Sequence, residues 1–205
     1  MPNERPRPPS PLGLAVLCLL YGGPLHPYRM QRLLKEWGKD QVINVGQRSS
    51  LYKTIGRLTE SGLIAVRQTE RDHQYPERTI YELTPEGRDY ALKWLAEMLA
   101  NHHNEFPTFP AALSFAMLLG PNGVLTALRE RSGSLSATVS ELRAALTGHA
   151  PAVPRVALLE TEYQLAITEA ELHWVEQTTD ELASGSLTWS DEDFAGAEEA
   201  YLPDP

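Results

Sequence analysis

Only one cysteine, Cys18, occurs in 205 residues. An internal disulfide framework is therefore excluded, and the chain reads as a protein of the reducing cytoplasm. Cys18 sits in the apolar run LGLAVLCLLY (12–21), where a buried, inert thiol is expected. Long hydrophobic runs are missing too: no stretch reaches the roughly 20 apolar residues of a membrane span. Arg5 and Arg7 ahead of that run imitate a secretory signal. Five prolines among the first eleven residues, and Gly22-Gly23-Pro24 in place of a small-x-small cleavage site, fit an arm followed by a buried helix better. Reactive constellations are equally scarce. The adjacent His102 and His103 project in different directions on a helix and have no companion cysteine or HExxH spacing, so no metal is expected. No G-x-S-x-G, Walker A or G-x-G-x-x-G sequence appears, and the tail carboxylates lack partners that would tune a catalytic acid. Neither cofactor nor enzyme activity is expected.

Positive charge is also in short supply, with 18 Lys+Arg against 27 Asp+Glu and a net charge of -9. Taken whole, that balance argues against nucleic acid, since phosphate binding needs clustered cations. Divided along the chain it reverses. Residues 1 to 95 hold 14 cations and 10 acids, a net of +4, whereas residues 96 to 205 hold 4 and 17, a net of -13. Such asymmetry points to two units with different partners.

The pattern along the chain supports that division. Residues 1–10 form a proline-rich arm, and Ser10 with Pro11 predicts the start of a helix running to about Tyr21. A second helix opens near His26 with Pro27 in its first turn and ends at Gly38. A polar linker containing Val42, Ile43 and Val45 leads to a third helix over Arg48–Ser61, in which Leu51, Ile55 and Leu58 share one face. Gln47, Arg48, Ser50, Lys53, Thr54 and Arg57 are therefore expected to point elsewhere. Gly62 caps this helix. Strands over 64–69 and 79–84 follow, joined by a long polar loop from Glu70 to Arg78. Thr84-Pro85-Glu86-Gly87 opens a long helix carrying Trp94. Beyond the break at 101–107, the spacing predicts a helix over Phe109–Leu119, a turn at Pro121-Asn122-Gly123, and two long antiparallel helices over 124–146 and 155–182. Their seams carry Leu128, Leu135, Val139 and Leu142 on one helix and Leu159, Tyr163, Ala170 and Trp174 on the other. The expected fold is mainly α with a small β-hairpin: a winged helix-turn-helix domain with linker helix (11–104), a helical dimerisation domain (105–184) and a weakly ordered acidic tail (185–205).

Three helices, a hairpin and a further helix are the order of a winged helix-turn-helix, whose third helix enters the DNA major groove while the hairpin tip approaches the adjoining backbone or minor groove. Arg48, Lys53 and Arg57 offer phosphate or guanine contacts, and Gln47, Ser49, Ser50 and Thr54 offer shorter groups for base edges. A solvated helix face is the competing reading of those cations.

Three stretches then resemble the PadR family of bacterial transcriptional regulators: PLHPYRM (24–30), SSLYKTIGRLTESGLI (49–64) and RTIYELTPEGRDYALKWL (78–95). The family pattern has a PLHGY turn, a recognition helix of type GxLYPALxRLExxGLI and a wing strand of type RKYYxLTxxG, in this order. The resemblance implies that Tyr52 reaches DNA, with core packing beside Leu51 as the alternative, and that Arg71 and Arg78 serve the wing. It departs at Pro27 (usually Gly), Ser49 (usually Gly), Lys53 (often Pro) and Ile80 (usually aromatic), the first three expected at the DNA-facing surface. ITEAELHWVEQTTDELASG (167–185) is similar to the last helix of the longer PadR proteins, in which the C-terminal helices pair two chains. The resemblance also implies a small-molecule effector between the two parts, with Trp94, Phe109 and Trp174 as aromatic candidates against ordinary core packing. Together these readings imply a cytoplasmic, homodimeric repressor that binds an inverted-repeat operator in double-stranded DNA. An adaptor acting through protein contacts, its DNA binding vestigial, is the alternative that the departures motivate.

Overall fold

Helix α1 (Pro11–Tyr21) starts where the Ser10 hydroxyl accepts a hydrogen bond from the Gly13 N–H at 3.3 Å and Pro11 fills the first turn, where a missing N–H costs nothing. The computed structural model describes residues 10–44, 48–72, 75–102, 105–149, 153–190 and 192–193, without the side chains of Gln41, Arg48, 69–72, 75–78 and His149. The chain divides into two units, Met1–Asn104 and Glu105–Pro205.

The first unit is organised around α1, which is apolar on nearly every side and buries Leu12 through Leu17, Leu19 and Leu20. A helix that apolar has to be central. Cys18 is the exception: it lies on the exposed side of α1 instead of in the core, and partial burial of its sulfur still raises the thiol pKa. Helix α2 (Pro27–Glu36) begins with the His26 Nδ1 accepting from the Tyr28 N–H at 3.1 Å, and packs through Pro27, Met30 and Leu34. A 3-10 turn at Lys39–Gln41 follows, in a stretch expected only to link helices. Helix α3 (Arg48–Glu60) buries Leu51, Ile55 and Leu58 in the same core as α1 and α2.

A glycine then turns the chain. Gly62 has a φ of 70°, the Leu63 N–H reaches the Leu58 carbonyl and the Gly62 N–H reaches the Thr59 carbonyl, the paired bonds of a Schellman ending. Strands β1 (Ile64–Asp72) and β2 (Tyr75–Leu83) pair antiparallel, with Ile64 opposite Leu83 and Asp72 opposite Tyr75. The paired strands are therefore longer than expected. Residues 70–72 and 75–78, read from sequence as loop because of their charges and Pro76, continue the ladder past irregularities at Val66/Gln68 and Glu70/Asp72. Both strands are edges of a two-stranded sheet, where a proline is tolerated. Leu25 adds a short third partner by exchanging two 3.0 Å backbone bonds with Tyr81.

Thr84 closes the unit. Its Oγ1 accepts from the Gly87 N–H at 3.0 Å, capping α4 (Pro85–Ala100), and lies 2.8 Å from the Gly62 carbonyl and 3.0 Å from that of Leu63, to which the hydroxyl donates. Gly87 is obligatory for a related reason. A Cβ there would stand 1.9 Å from the Leu63 oxygen, so only glycine lets α4 lie this close to the start of the hairpin. Three helices, a hairpin wing and α4 thus form a winged helix around one core that also takes in Ala91 and Trp94.

The second unit is all helical among its described residues. The apolar run expected as one helix over 109–119 is instead α5 (Thr108–Leu113) and a 3-10 turn at Ala116–Leu119. Pro121-Asn122-Gly123 does not separate elements but lies in the first turn of α6 (Gly120–His149), where proline is favoured. After a 3-10 turn at Arg155–Leu158, α7 (Leu159–Ser184) packs against α6. Val124 and Leu128 of α6 meet Val175 and Leu182 of α7 in the core. Residues 185–190, assigned from sequence to the tail, belong to this packing. Leu187 and Trp189 lie on the core, and the Trp189 indole donates to the Met117 carbonyl at 3.0 Å. Among the described residues no helix is long and apolar enough to cross a membrane.

Candidate nucleic-acid interface

The α3 surface follows from its helical period. With Leu51, Ile55 and Leu58 inward, Ser49, Tyr52, Lys53, Gly56, Arg57 and Glu60 face solvent, and Ser50 is half-buried. Thr54 does not belong to this set, contrary to expectation. It lies three residues after Leu51 and four before Leu58, which puts it on the inner face, and it is 4% exposed. Its hydroxyl oxygen accepts from the Arg57 guanidinium at 3.3 Å, so Thr54 orients a cation and does not reach for bases itself.

Most of the described cations outside α3 are engaged, Lys35 of α2 being an exception. Arg29 and Arg32 on α2 are held by Glu36, Arg67 on β1 by Glu82 and Lys93 on α4 by Glu97, while Arg88 lies 4.1 Å over the Tyr21 ring. Lys53 and Arg57 meet no carboxylate among the described residues. Two exposed cations one helical turn apart, neither paired with a carboxylate, can take up phosphate oxygens. Tyr52, 53% exposed, stands at the wing side of this face. Burial, and secondarily the nearby Tyr52 phenol, push the Tyr81 hydroxyl of β2 above its ordinary pKa, so α3 and the wing present adjacent phenols. Tyr81 was not singled out as a site residue; its position in the YELT motif was the only signal available.

A groove of about 840 Å³ flanks the same face, walled by Ser10, Pro11 and Leu12 at the start of α1 and by Lys53, Arg57 and Glu60 of α3. Of the other residues selected from sequence, Gln47 lies outside the described residues, as do the side chains of Arg48, Arg71 and Arg78. The backbones of Arg71 and Arg78 belong to β1 and β2, with Arg78 opposite Glu70. Pro27 is buried in the first turn of α2, so this departure does not alter an exposed surface as expected, whereas those at Ser49 and Lys53 do.

The second unit has the opposite character. Three of its four cations are engaged, Arg131 with Glu171, Arg143 with Glu169 and Arg155 with Glu162, whose carboxyl pKa is lowered by hydrogen bonding to Arg155. Leu128, Val139 and Leu142 of the expected pairing seam are already buried within one chain, and Leu135 partly so. Leu159, Tyr163, Ala170 and Trp174 remain exposed, in register with Val156 and Ile167, at steps of three or four residues along α7. The aromatic candidates divide as well. Trp94 is a core residue of the first unit, 5% exposed and edge-to-face with Tyr90 at 3.9 Å between ring centres. Phe109 and Trp174 meet in the second unit at 6.0 Å, with Arg131 stacked 3.6 Å from the Phe109 ring beside a cavity of about 210 Å³. His102 is exposed, His103 lies outside the described residues, and no metal-binding cluster occurs among the described residues.

Comparison with known proteins agrees with this architecture. No curated protein sequence matches the chain. Among solved structures, that of Bacillus subtilis PadR in complex with operator DNA is similar over 84% of this chain and 99% of its own, with 20% identity and a TM-score of 0.68. The same regulator in complex with p-coumaric acid is similar over 84% of this chain and 98% of its own, at 21% identity and a TM-score of 0.64. A PadR-like transcriptional regulator from Bacillus cereus is similar over 85% and 99%, at 16% and 0.60. At these identities the likeness establishes the fold. A match from sequence adds to this: residues 16–93, from within α1 to within α4, match the transcriptional regulator PadR-like family.

Proposed function

We propose that the protein is a homodimeric, sequence-specific DNA-binding repressor that occupies an inverted-repeat operator through α3 and the wing. The observation that carries this reading is the exposed pair Lys53 and Arg57, left without carboxylate partners in a unit whose other described cations are largely engaged. Ser49, Ser50 and Tyr52 supply neutral groups on the same helix, and Arg48, Arg71 and Arg78 are the further cations that the sequence offers on the helix and the wing. Bacillus subtilis PadR, similar in fold, was crystallised with operator DNA. The exposed stripe Leu159, Tyr163, Ile167, Ala170 and Trp174 is the surface for a second copy, which sets two recognition helices on one duplex. Of the aromatic candidates, the Phe109–Trp174 pair is the better placed for a small-molecule effector, and Trp94 packs the winged-helix core.

Selection of duplexes from a random-sequence pool tests the reading. An inverted repeat should be enriched, and Lys53→Ala with Arg57→Ala should flatten the log-log salt dependence of binding by about 0.9 for each phosphate that is no longer neutralised. An unchanged slope removes α3 from the interface. The absence of any enriched sequence favours the adaptor alternative.

A further inference from the structure

The cavity of about 210 Å³ in the helical unit has walls of one kind and a single charged group. Phe109 and Leu113 of α5, Leu119 of the 3-10 turn, and Val124 and Leu128 of α6 line it with hydrocarbon, and Arg131 is the one charged side chain among its described lining residues. That charge is already taken. The Glu171 carboxylate of α7 accepts from the Arg131 Nε at 2.6 Å and pairs with a terminal nitrogen of the same guanidinium, whose Cζ lies 3.6 Å from the centre of the Phe109 ring. Both partners of this ion pair are about two-thirds withdrawn from water, their side chains 35% and 34% exposed. The cavity therefore meets a neutral pair and not a free cation.

We infer that the cavity takes an uncharged molecule with a single aromatic ring, and that Glu171 sets this preference by occupying Arg131. The inference deepens the effector reading given above and rests on it. Size supports the choice. An apolar cavity of roughly 150 Å³ takes up benzene, so 210 Å³ has room for one ring with a short substituent, while drug-sized ligands use roughly 300–1,000 Å³. Charge narrows it further. An aromatic carboxylate of the same size either leaves its anion against hydrocarbon walls without a partner, or draws Arg131 away and leaves the Glu171 carboxylate half-buried and unpaired. An uncharged ring does neither, and it keeps the Arg131–Glu171 pair as part of the wall. Access is open, since Phe115 and Leu119 among the lining residues are exposed.

Acetophenone and benzoate are nearly equal in shape and differ by one charge. Titrating each into the intact chain at neutral pH, followed by calorimetry, should show acetophenone binding at least about 10-fold more tightly. Glu171→Gln keeps the side-chain shape but releases Arg131, so this variant should reverse the order and prefer benzoate. Ala127→Phe, at an exposed lining position, should fill the space and abolish binding of acetophenone with helix content intact. Benzoate bound by the intact chain as tightly as acetophenone, or binding of neither, overturns the inference without the help of any variant. An order of preference that Glu171→Gln leaves unaltered overturns the role of Glu171, and acetophenone binding that survives Ala127→Phe overturns the site. If acetophenone binds as expected yet leaves the affinity for an enriched duplex unchanged, the ligand class stands and the effector role falls.

Discussion

The two units solve the problem of burial differently. Among the described residues, the winged-helix unit encloses sixteen buried apolar side chains in one core and the helical unit six, while both leave large apolar side chains exposed, Trp37, Leu92 and Leu99 in the first and Phe115, Leu118, Leu119, Leu159, Tyr163 and Trp174 in the second. In the unit with the fuller core, two of the described cations that meet no carboxylate, Lys53 and Arg57, stand one turn apart on α3. The unit with the thinner core binds most of its own cations in ion pairs and presents an apolar stripe. A face of that kind marks an interaction surface. The contrast teaches that net charge per unit, and which charges are already paired, say more about partners than the whole-chain value of -9.

The first way to break the comparison is at its most crowded point. Gly87→Val puts a side chain onto the Leu63 carbonyl and should destabilise the winged-helix unit by about 3 kcal/mol or more, read as a fall in denaturant midpoint. A midpoint within error of the unaltered chain would mean that α4 does not sit as tightly as described. Next in size is the stripe. Tyr163→Glu with Ile167→Glu should weaken self-association by about 2 kcal/mol, roughly 30-fold in Kd, leaving helix content intact; sedimentation across a concentration series reads it. An equally tight dimer would assign the pairing to another face.

Two smaller effects sharpen the account. Thr54→Val keeps the buried volume but removes the acceptor that orients Arg57, so DNA affinity should fall about fivefold, near 1 kcal/mol, with little change in melting. An affinity equal to that of the intact chain would make the Thr54–Arg57 bond incidental. Gly133, inside α6 with open space around its Cβ position, is the counterpart of Gly87. Gly133→Ala should stabilise the helical unit by about 0.5–1 kcal/mol, visible as a rise in its melting transition.

Local signals carried much of this architecture into the sequence. Ser10-Pro11 and Thr84-Pro85 state helix starts chemically, Gly62 states a left-handed ending, and the spacing of Leu51, Ile55 and Leu58 states a buried face. What escaped depended on neighbours distant in sequence. The outer half of the hairpin carries charges and Pro76 that suppress strand propensity, yet the ladder with the opposite strand continues. Residues 185–190 look like tail until Trp189 finds the Met117 carbonyl. Cys18 reads as core from its apolar neighbours, although a helix apolar all round still has an outer side. On the candidate interface, Lys53, Arg57 and Tyr52 were legible as outward positions because the helical period decides them. Thr54 was misplaced because its polarity was weighed above its spacing of three and four from Leu51 and Leu58, and the groove shared by Ser10 and α3 needs the folded unit to exist at all.

The division of labour meets its most direct test in a hydroxyl-radical footprint of the intact chain on a duplex enriched from a random-sequence pool. Two equivalent protected half-sites, their centres about 10–10.5 base pairs or a whole multiple of that apart, are what two winged-helix units joined by their helical partners predict. A single protected patch, or protection without discrete boundaries, would contradict it.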